Sequence, residues 1–335
     1  MRRVCLTVYS FLIIALLATC TTAALDHKMS GQREGPALPA NLSALELPLA
    51  DIHFHPMPFM TPQDLLLRMD RLNIRWCGGA GAIIPPRDQG FDRELLFQKV
   101  LGDRYLRFAG FYELARNALI SPNYVADASS ESFKSAFGKI EEELRTGVAR
   151  GMGEVFVNTR TSHTNPRMRF KIPPNSSGIR ALWSLSARYG VPLSIHMQFD
   201  QDSVDQLREL LQSDPKGVLV LVHAGKDTVA AQVRSLLAEF PNLFCDLAYR
   251  SPPQEKGPVS SSVRIIFSKS VLKPDWKQLI EDYPDRFFVA VDDVQSWSQY
   301  DEVVATIREG LLGNLSPETA EKVAYKNAMR VFKLK

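Results

Sequence analysis

Residues 49–58 read LADIHFHPMP, placing Asp51, His53 and His55 at alternate positions of an apolar stretch that ends on prolines. Strand side chains alternate with period two, so a strand here turns these three to one face and Ile52 and Phe54 to the other. Two imidazoles would then converge on one point, in a chain with only six histidines. The plain alternative is a polar pair at a strand end, satisfied by backbone or water. The rest of the chain has to decide between them.

Working outward, this stretch is the first of eight short apolar runs, at 48–55, 73–84, 105–112, 149–157, 191–197, 217–223, 243–248 and 286–292. Between them lie segments of helical period, among them 61–72, 130–146, 177–189, 201–213 and 227–239; the first opens on a Thr61 cap with Pro62 behind it. Strand and helix alternating over some 250 residues predict parallel strands in right-handed crossovers, and eight repeats favour a closed (β/α)8 TIM barrel over an open sheet. Residues 48–335 form this one domain. The irregular insertion at 249–272 follows the seventh run, where a loop overhangs the active face of a barrel.

Ahead of the barrel, residues 1–24 have a basic start, an apolar run and small residues, the layout of a secretory signal peptide, and 25–47 read as a flexible tether. An exported protein, periplasmic or secreted, is expected. LLATC at 16–20 also resembles a lipoprotein box that would acylate Cys20, although Thr19 departs from its usual small residue, and simple export is favoured. The apolar run is short for a membrane span, so none is expected in the mature form. Cys77 and Cys245 remain after processing, on strands that are not neighbours, which is no disulfide framework. A net charge of +3 without a basic arm argues against nucleic-acid binding. A small-molecule substrate is expected, and a homo-oligomer is left open.

Four of the six histidines fall at the ends of apolar runs: His53 and His55 on the first, His196 on the fifth, His223 on the sixth. Glu154 lies in the fourth run and Asp292 closes the eighth. Parallel barrel strands share one C-terminal face, where barrel enzymes place their chemistry. Each residue alone has an innocent reading, as a hydrogen-bonded core histidine or a capping carboxylate, but six together at one barrel end favour a metal site. Nitrogen and carboxylate donors suit Zn²⁺ first, then Mn²⁺ or Fe²⁺.

DIHFH at 51–55, the strand-end His196 and His223, RFFVAVDD at 286–293 and the closing ETAEKVAYKNAMRVFKL at 318–334 together resemble the amidohydrolase superfamily, in its amidohydrolase-related (family 2) branch. The resemblance spans about residues 48–335. It implies a (β/α)8 barrel in which His53 and His55 bind a divalent ion with His196 and Asp292. GMGEVF at 151–156 is similar to the Gly-Glu strand of TatD-type members, whose glutamate bridges two metals, so a two-ion site using Glu154 and His223 is favoured over a one-ion site. Asp293 directly follows Asp292 and competes with it as ligand.

The expected chemistry is hydrolysis of an ester, lactone or amide bond by metal-activated water, with Asp292 and His223 moving protons. The loop after the fourth run carries Arg160, His163, Arg167, Arg169 and Lys171. Arg160 and Arg169, with Lys226 and Arg250, are candidates for holding an anionic substrate; a solvated basic loop is the plain alternative. Three competitors remain: a one-metal decarboxylase or hydratase on the same scaffold, a TatD-like nuclease, and a non-catalytic exported binding protein.

Overall fold

A computed structural model describes residues 41–83, 93–161, 166–254 and 262–335. The expected signal segment with Cys20, residues 25–40 of the tether and His163 fall outside the described residues. Each apolar run supplies one barrel strand: β1 (Leu49–Phe54), β2 (Ile74–Gly79), β3 in two pieces (Tyr105–Leu106 and Ala109–Gly110), β4 (Met152–Asn158), β5 (Pro192–Met197), β6 (Val218–Leu221), β7 (Leu243–Asp246) and β8 (Phe287–Phe288). Neighbours pair in parallel from β1 through to β8, the two pieces of β3 taking β2 and β4 respectively. A parallel bridge between Phe54 and Asp292 joins the end of the last strand to the first. This is a TIM-barrel fold.

Around the strands lie α1 (Pro62–Arg71), α2 (Arg93–Leu101), α3 (Phe111–Ile120), α4 (Asn123–Ala126), α5 (Glu131–Arg145), α6 (Ser177–Tyr189), α7 (Gln201–Ser213), α8 (Ala230–Glu239), α9 (Pro274–Asp282) and α10 (Trp297–Thr306). Several start where a side-chain oxygen satisfies a free N–H: Thr61 accepts from Asp64, Ser130 from Phe133, Asp200 from Ser203 and Ser296 from Gln299. Their apolar stripes, such as Phe133, Ala136, Ile140 and Leu144 of α5, pack on the outside of the barrel. A second cluster fills the interior below the histidines: Ala50, Ile52, Trp76, Leu106, Phe108, Val220, Phe244 and Phe288, joined by Ala328, Phe332 and Leu334 from the C-terminal segment. No helix among the described residues is long and apolar enough to cross a membrane.

The register of β1 corrects the simple alternation. Ala50 pairs with Trp76 and Asp51 with Cys77, but the next pair is Phe54 with Gly79, so three residues of β1 oppose two of β2. This bulge reverses the alternation. Ala50 and Ile52 face the interior cluster, Asp51 faces outward to Tyr300 and Cys77, and past the bulge His53 and His55 turn inward while Phe54 packs outward on Tyr300. Asp51 therefore does not share a face with the histidines. Gly79 accommodates the bulge, since a Cβ there, at φ +88°, would lie 1.9 Å from the Ile52 carbonyl oxygen. β4 uses the same device: Met152 pairs with Leu193 and Val155 with Ile195, the extra residue falling at Gly153-Glu154. A Cβ on Gly153 would come within 2.5 Å of the Ser194 oxygen.

The last seven residues of the expected tether are packed rather than loose. Leu42–Leu45 forms a 3-10 turn with Ala44 fully buried, the Asn41 N–H donates to the Gly313 carbonyl at 2.9 Å, and Arg308 donates to the carbonyls of Leu45 and Leu47.

Candidate metal centre

At the C-terminal mouth of the barrel, His53, His55, Glu154, His196, His223 and Asp292 meet, none more than 6% exposed. His53 and His55 arrive on the bulged end of β1, Glu154 on the bulge of β4 and His196 near the end of β5. His223 lies just past β6, in the turn Val222–Gly225, with its backbone in the left-handed region. Asp292 sits where the Phe54 bridge joins β8 to β1.

The rings are oriented from behind. His55 Nδ1 lies 2.7 Å from the Gly81 carbonyl and His223 Nδ1 lies 3.1 Å from that of Ala248. A carbonyl only accepts, so both Nδ1 atoms carry hydrogen and both Nε2 lone pairs face the cavity. His53 Nδ1 is 3.0 Å from Asp246 Oδ2, which favours the same tautomer. Asp246 is the residue that sequence reasoning missed. Its other oxygen accepts the N–H groups of His223 and Ala248, so this fully buried carboxylate is saturated by protein donors and acts behind His53. An aspartate inside the apolar run LFCDLA was the available signal.

On the cavity side, His55 Nε2 lies 3.5 Å from Glu154 Oε2 and 3.4 Å from Asp292 Oδ1, and His53 Nε2 lies 3.6 and 3.7 Å from the same two oxygens. The other oxygen of Glu154 is 2.7 Å from His196 Nδ1 and 3.8 Å from His223 Nε2, which is itself 3.3 Å from Asp292 Oδ2. Asp293 turns away and accepts a hydrogen bond from the Tyr249 hydroxyl.

Burial raises the cost of every charge here, and the neighbours decide who bears it. For His53, burial works against the cation, but Asp292, Asp246 and Glu154 outweigh it and raise its pKa well above the usual value. His55 is likewise raised, burial being overcome by Glu154 and Asp292. His223 goes the other way: burial, aided by His196 and His53, holds it well below the ordinary range. Burial lifts Asp292 to about 6 against the pull of His53 and His55. Glu154 stays well below the usual carboxylate range because His53 and His196 overcome its burial.

This arrangement fits a divalent ion. His53, His55 and Asp292 form one donor set, and Glu154, His196 and His223 another, the donor atoms of each lying within 4.8 Å of one another. His53 Nε2 and His196 Nε2 are buried with no hydrogen-bond partner among the described residues, which for polar atoms is costly unless something else takes the lone pair. Mixed imidazole and carboxylate donors suit Zn²⁺, Mn²⁺ or Fe²⁺ better than Ca²⁺.

Of the candidate substrate-binding residues, Arg160 and Arg169 are exposed on the loop after β4, and Lys226 sits with its Nζ 4.8 Å from the Tyr249 ring centroid, itself beside His223. Lys171 is engaged with Asp200 at 2.8 Å. Arg250 is a correction: it is fully buried, stacked 4.6 Å over Trp276, and donates to the backbone carbonyls of Lys226 and Thr228. Its guanidinium is spent inside the protein and holds no substrate.

The family model described as Amidohydrolase matches residues 50–334. No curated protein matches the chain significantly. Solved structures share its fold at low identity. An uncharacterized TIM-barrel protein of Bordetella bronchiseptica is 13% identical with a TM-score of 0.56, over 86% of this chain and 99% of that one. A dihydroxybenzoic acid decarboxylase of Polaromonas with bound manganese is 12% identical with a TM-score of 0.50, over 86% and 97%. A dihydroorotase of Campylobacter jejuni is 11% identical with a TM-score of 0.51, over 86% and 84%. With a match to the family model over nearly the whole barrel, the chain belongs to the amidohydrolase family and is an enzyme of that type.

Proposed function

We propose that this enzyme hydrolyses an ester, lactone or amide bond of a small anionic substrate, using two divalent ions, zinc foremost. The observation that carries the reading is Glu154, whose two oxygens face different histidine pairs, Oε2 towards His53 and His55 and Oε1 towards His196 and His223. A carboxylate so placed suits a bridge between two ions, in the manner of TatD-type glutamates. His53, His55 and Asp292 would hold one ion and His196 and His223 the other, with Glu154 shared. Bound ions supply a water of lowered pKa and polarise the carbonyl under attack.

The chain's own residues do the rest. Asp292, whose two oxygens face His55 Nε2 at 3.4 Å and His223 Nε2 at 3.3 Å, is placed between the donor sets to take the proton of the attacking water and return it to the leaving group. Were only one ion bound, His223 Nε2, 3.3 Å from Asp292, would be free to relay that proton. Arg160, Arg169 and Lys226, at the rim, would hold the substrate's negative group. The N-terminal layout supports export, by signal cleavage or through Cys20.

A second reading is a one-ion decarboxylase, favoured by the manganese-bound decarboxylase of the same fold. Elemental analysis of the purified protein, followed by ester, lactone, amide and hydroxybenzoate panels, separates the two. Two equivalents of ion with turnover of a hydrolysable bond supports the proposal. One equivalent with release of carbon dioxide overturns it.

A further inference from the structure

The turn that carries His223 has an unusual backbone. His223, Ala224 and Lys226 all have positive φ, at 56°, 48° and 49°, a region sparsely populated by non-glycine residues that persists only where the surroundings impose it. Inside the turn, the Lys226 N–H donates to the His223 carbonyl at 2.9 Å and Thr228 Oγ1 to that of Ala224 at 2.6 Å. From outside, Asp246 accepts the His223 N–H. The Gly225 carbonyl takes the Asp227 N–H at 2.6 Å, and those of Lys226 and Thr228 are both taken by one side chain, Arg250.

We propose that Arg250 is a positioning residue: its guanidinium clamps the carbonyls of Lys226 and Thr228 and so holds the Val222–Thr228 turn in the geometry that aims His223 Nε2 at Glu154 and Asp292. A planar fork of donors suits two converging carbonyls, and an apolar side chain of equal size would leave both buried and unpaired. Among the described residues Arg250 makes no ion pair within 4 Å, so these two carbonyls, that of Val263 at 3.5 Å, the face of Trp276 and the more distant charges of Asp227 and Asp275 are what it has in exchange for water. Its own carbonyl accepts from Ile266 at 2.9 Å, which fastens the clamp to the insertion after β7. The importance of aiming His223 rests on the two-ion reading above, whereas the hold on the turn does not.

The test compares R250M and R250K with the wild-type chain, equilibrated with Zn²⁺ and then dialysed. Hydrogen exchange at the His223 and Lys226 amides is expected to quicken roughly ten- to hundredfold in R250M, with β1 unchanged. The zinc content falls by one equivalent while circular dichroism holds. R250K, keeping the charge but not the fork, falls between. Wild-type exchange at His223 and Lys226 in R250M overturns the proposal; if R250M does not fold, the same result in R250K does so. A wild-type chain that takes one zinc or none refutes the two-ion reading, and exchange at the turn still decides the role of Arg250.

Discussion

His53 has a carboxylate at each end of its ring: Asp246 behind at 3.0 Å, fixing the tautomer, and Glu154 and Asp292 in front. Removing the ring or its support should therefore have different effects. His53→Ala and His55→Ala are expected to abolish loading of the ion they share with Asp292 while the barrel stays folded, which elemental analysis with circular dichroism would show; wild-type ion content in either refutes the assignment. Asp292→Asn is expected to keep ion and lose about 10²–10⁴-fold in turnover, the range of a positioned acid-base group. Asp246→Asn should lower ion affinity by about 10–100-fold with little change in fold, since the amide oxygen can still accept the His223 and Ala248 N–H groups while the charge behind His53 is lost; a competition titration against a chelator measures this. The sequence showed the inward-facing donors because all but Glu154 lie at or just past a strand end, a position tied to chain order. It hid the roles of Asp246 and Arg250, because whether a charged side chain in or just after an apolar run meets solvent or backbone depends on what the loops above it do.

At the scale of elements, β1 shows where alternation stops being a guide. Strict period two makes Asp51, His53 and His55 companions, but one inserted residue sends Asp51 outward, where its Oδ1 accepts the Val291 N–H at 2.9 Å and its Oδ2 meets Tyr300. A bulge is a property of a strand pair, and half of its cause here lies in the glycines of β2, some 25 residues away. Asp51 thereby ties β1 to the residue just before Asp292. Asp51→Ala leaves the Val291 N–H without its buried acceptor, a cost of about 1–3 kcal/mol. Gly79→Ala drives a methyl into the Ile52 carbonyl at a positive-φ position. Both should lower the midpoint of denaturant unfolding, and Gly79→Ala should also weaken ion binding because it disturbs the bulge that aims His53. A Gly79→Ala protein with wild-type midpoint and affinity would show that the bulge does not depend on this glycine.

For the whole molecule, closing eight strands into a cylinder brings buried carboxylates and imidazoles into one mouth, so stability, ion occupancy and pH become a single linked equilibrium. Without an ion, protons compete for the same lone pairs. His53 and His55 hold theirs to higher pH than free histidine, and Asp292 holds its own up to about 6. Raised pKa values favour the folded state while these protons are bound: for the histidines that contribution is present below their unfolded value and fades as pH rises through the raised one, and for Asp292 it fades between about 4 and 6. His223, held neutral, has no proton to displace. An ion must expel the protons of the other three groups, so its affinity rises with pH across this range. Added Zn²⁺ or Mn²⁺ at a hundredfold excess over Kd stabilises by about 2.7 kcal/mol, a rise of a few degrees in Tm for a domain of this length. Calorimetry of chelated and ion-loaded protein at pH 5, 6, 7 and 8 should find the gap in Tm smallest at pH 5 and widening upward. A gap that is constant, or widest at pH 5, would mean that the ion does not bind at the histidines of β1.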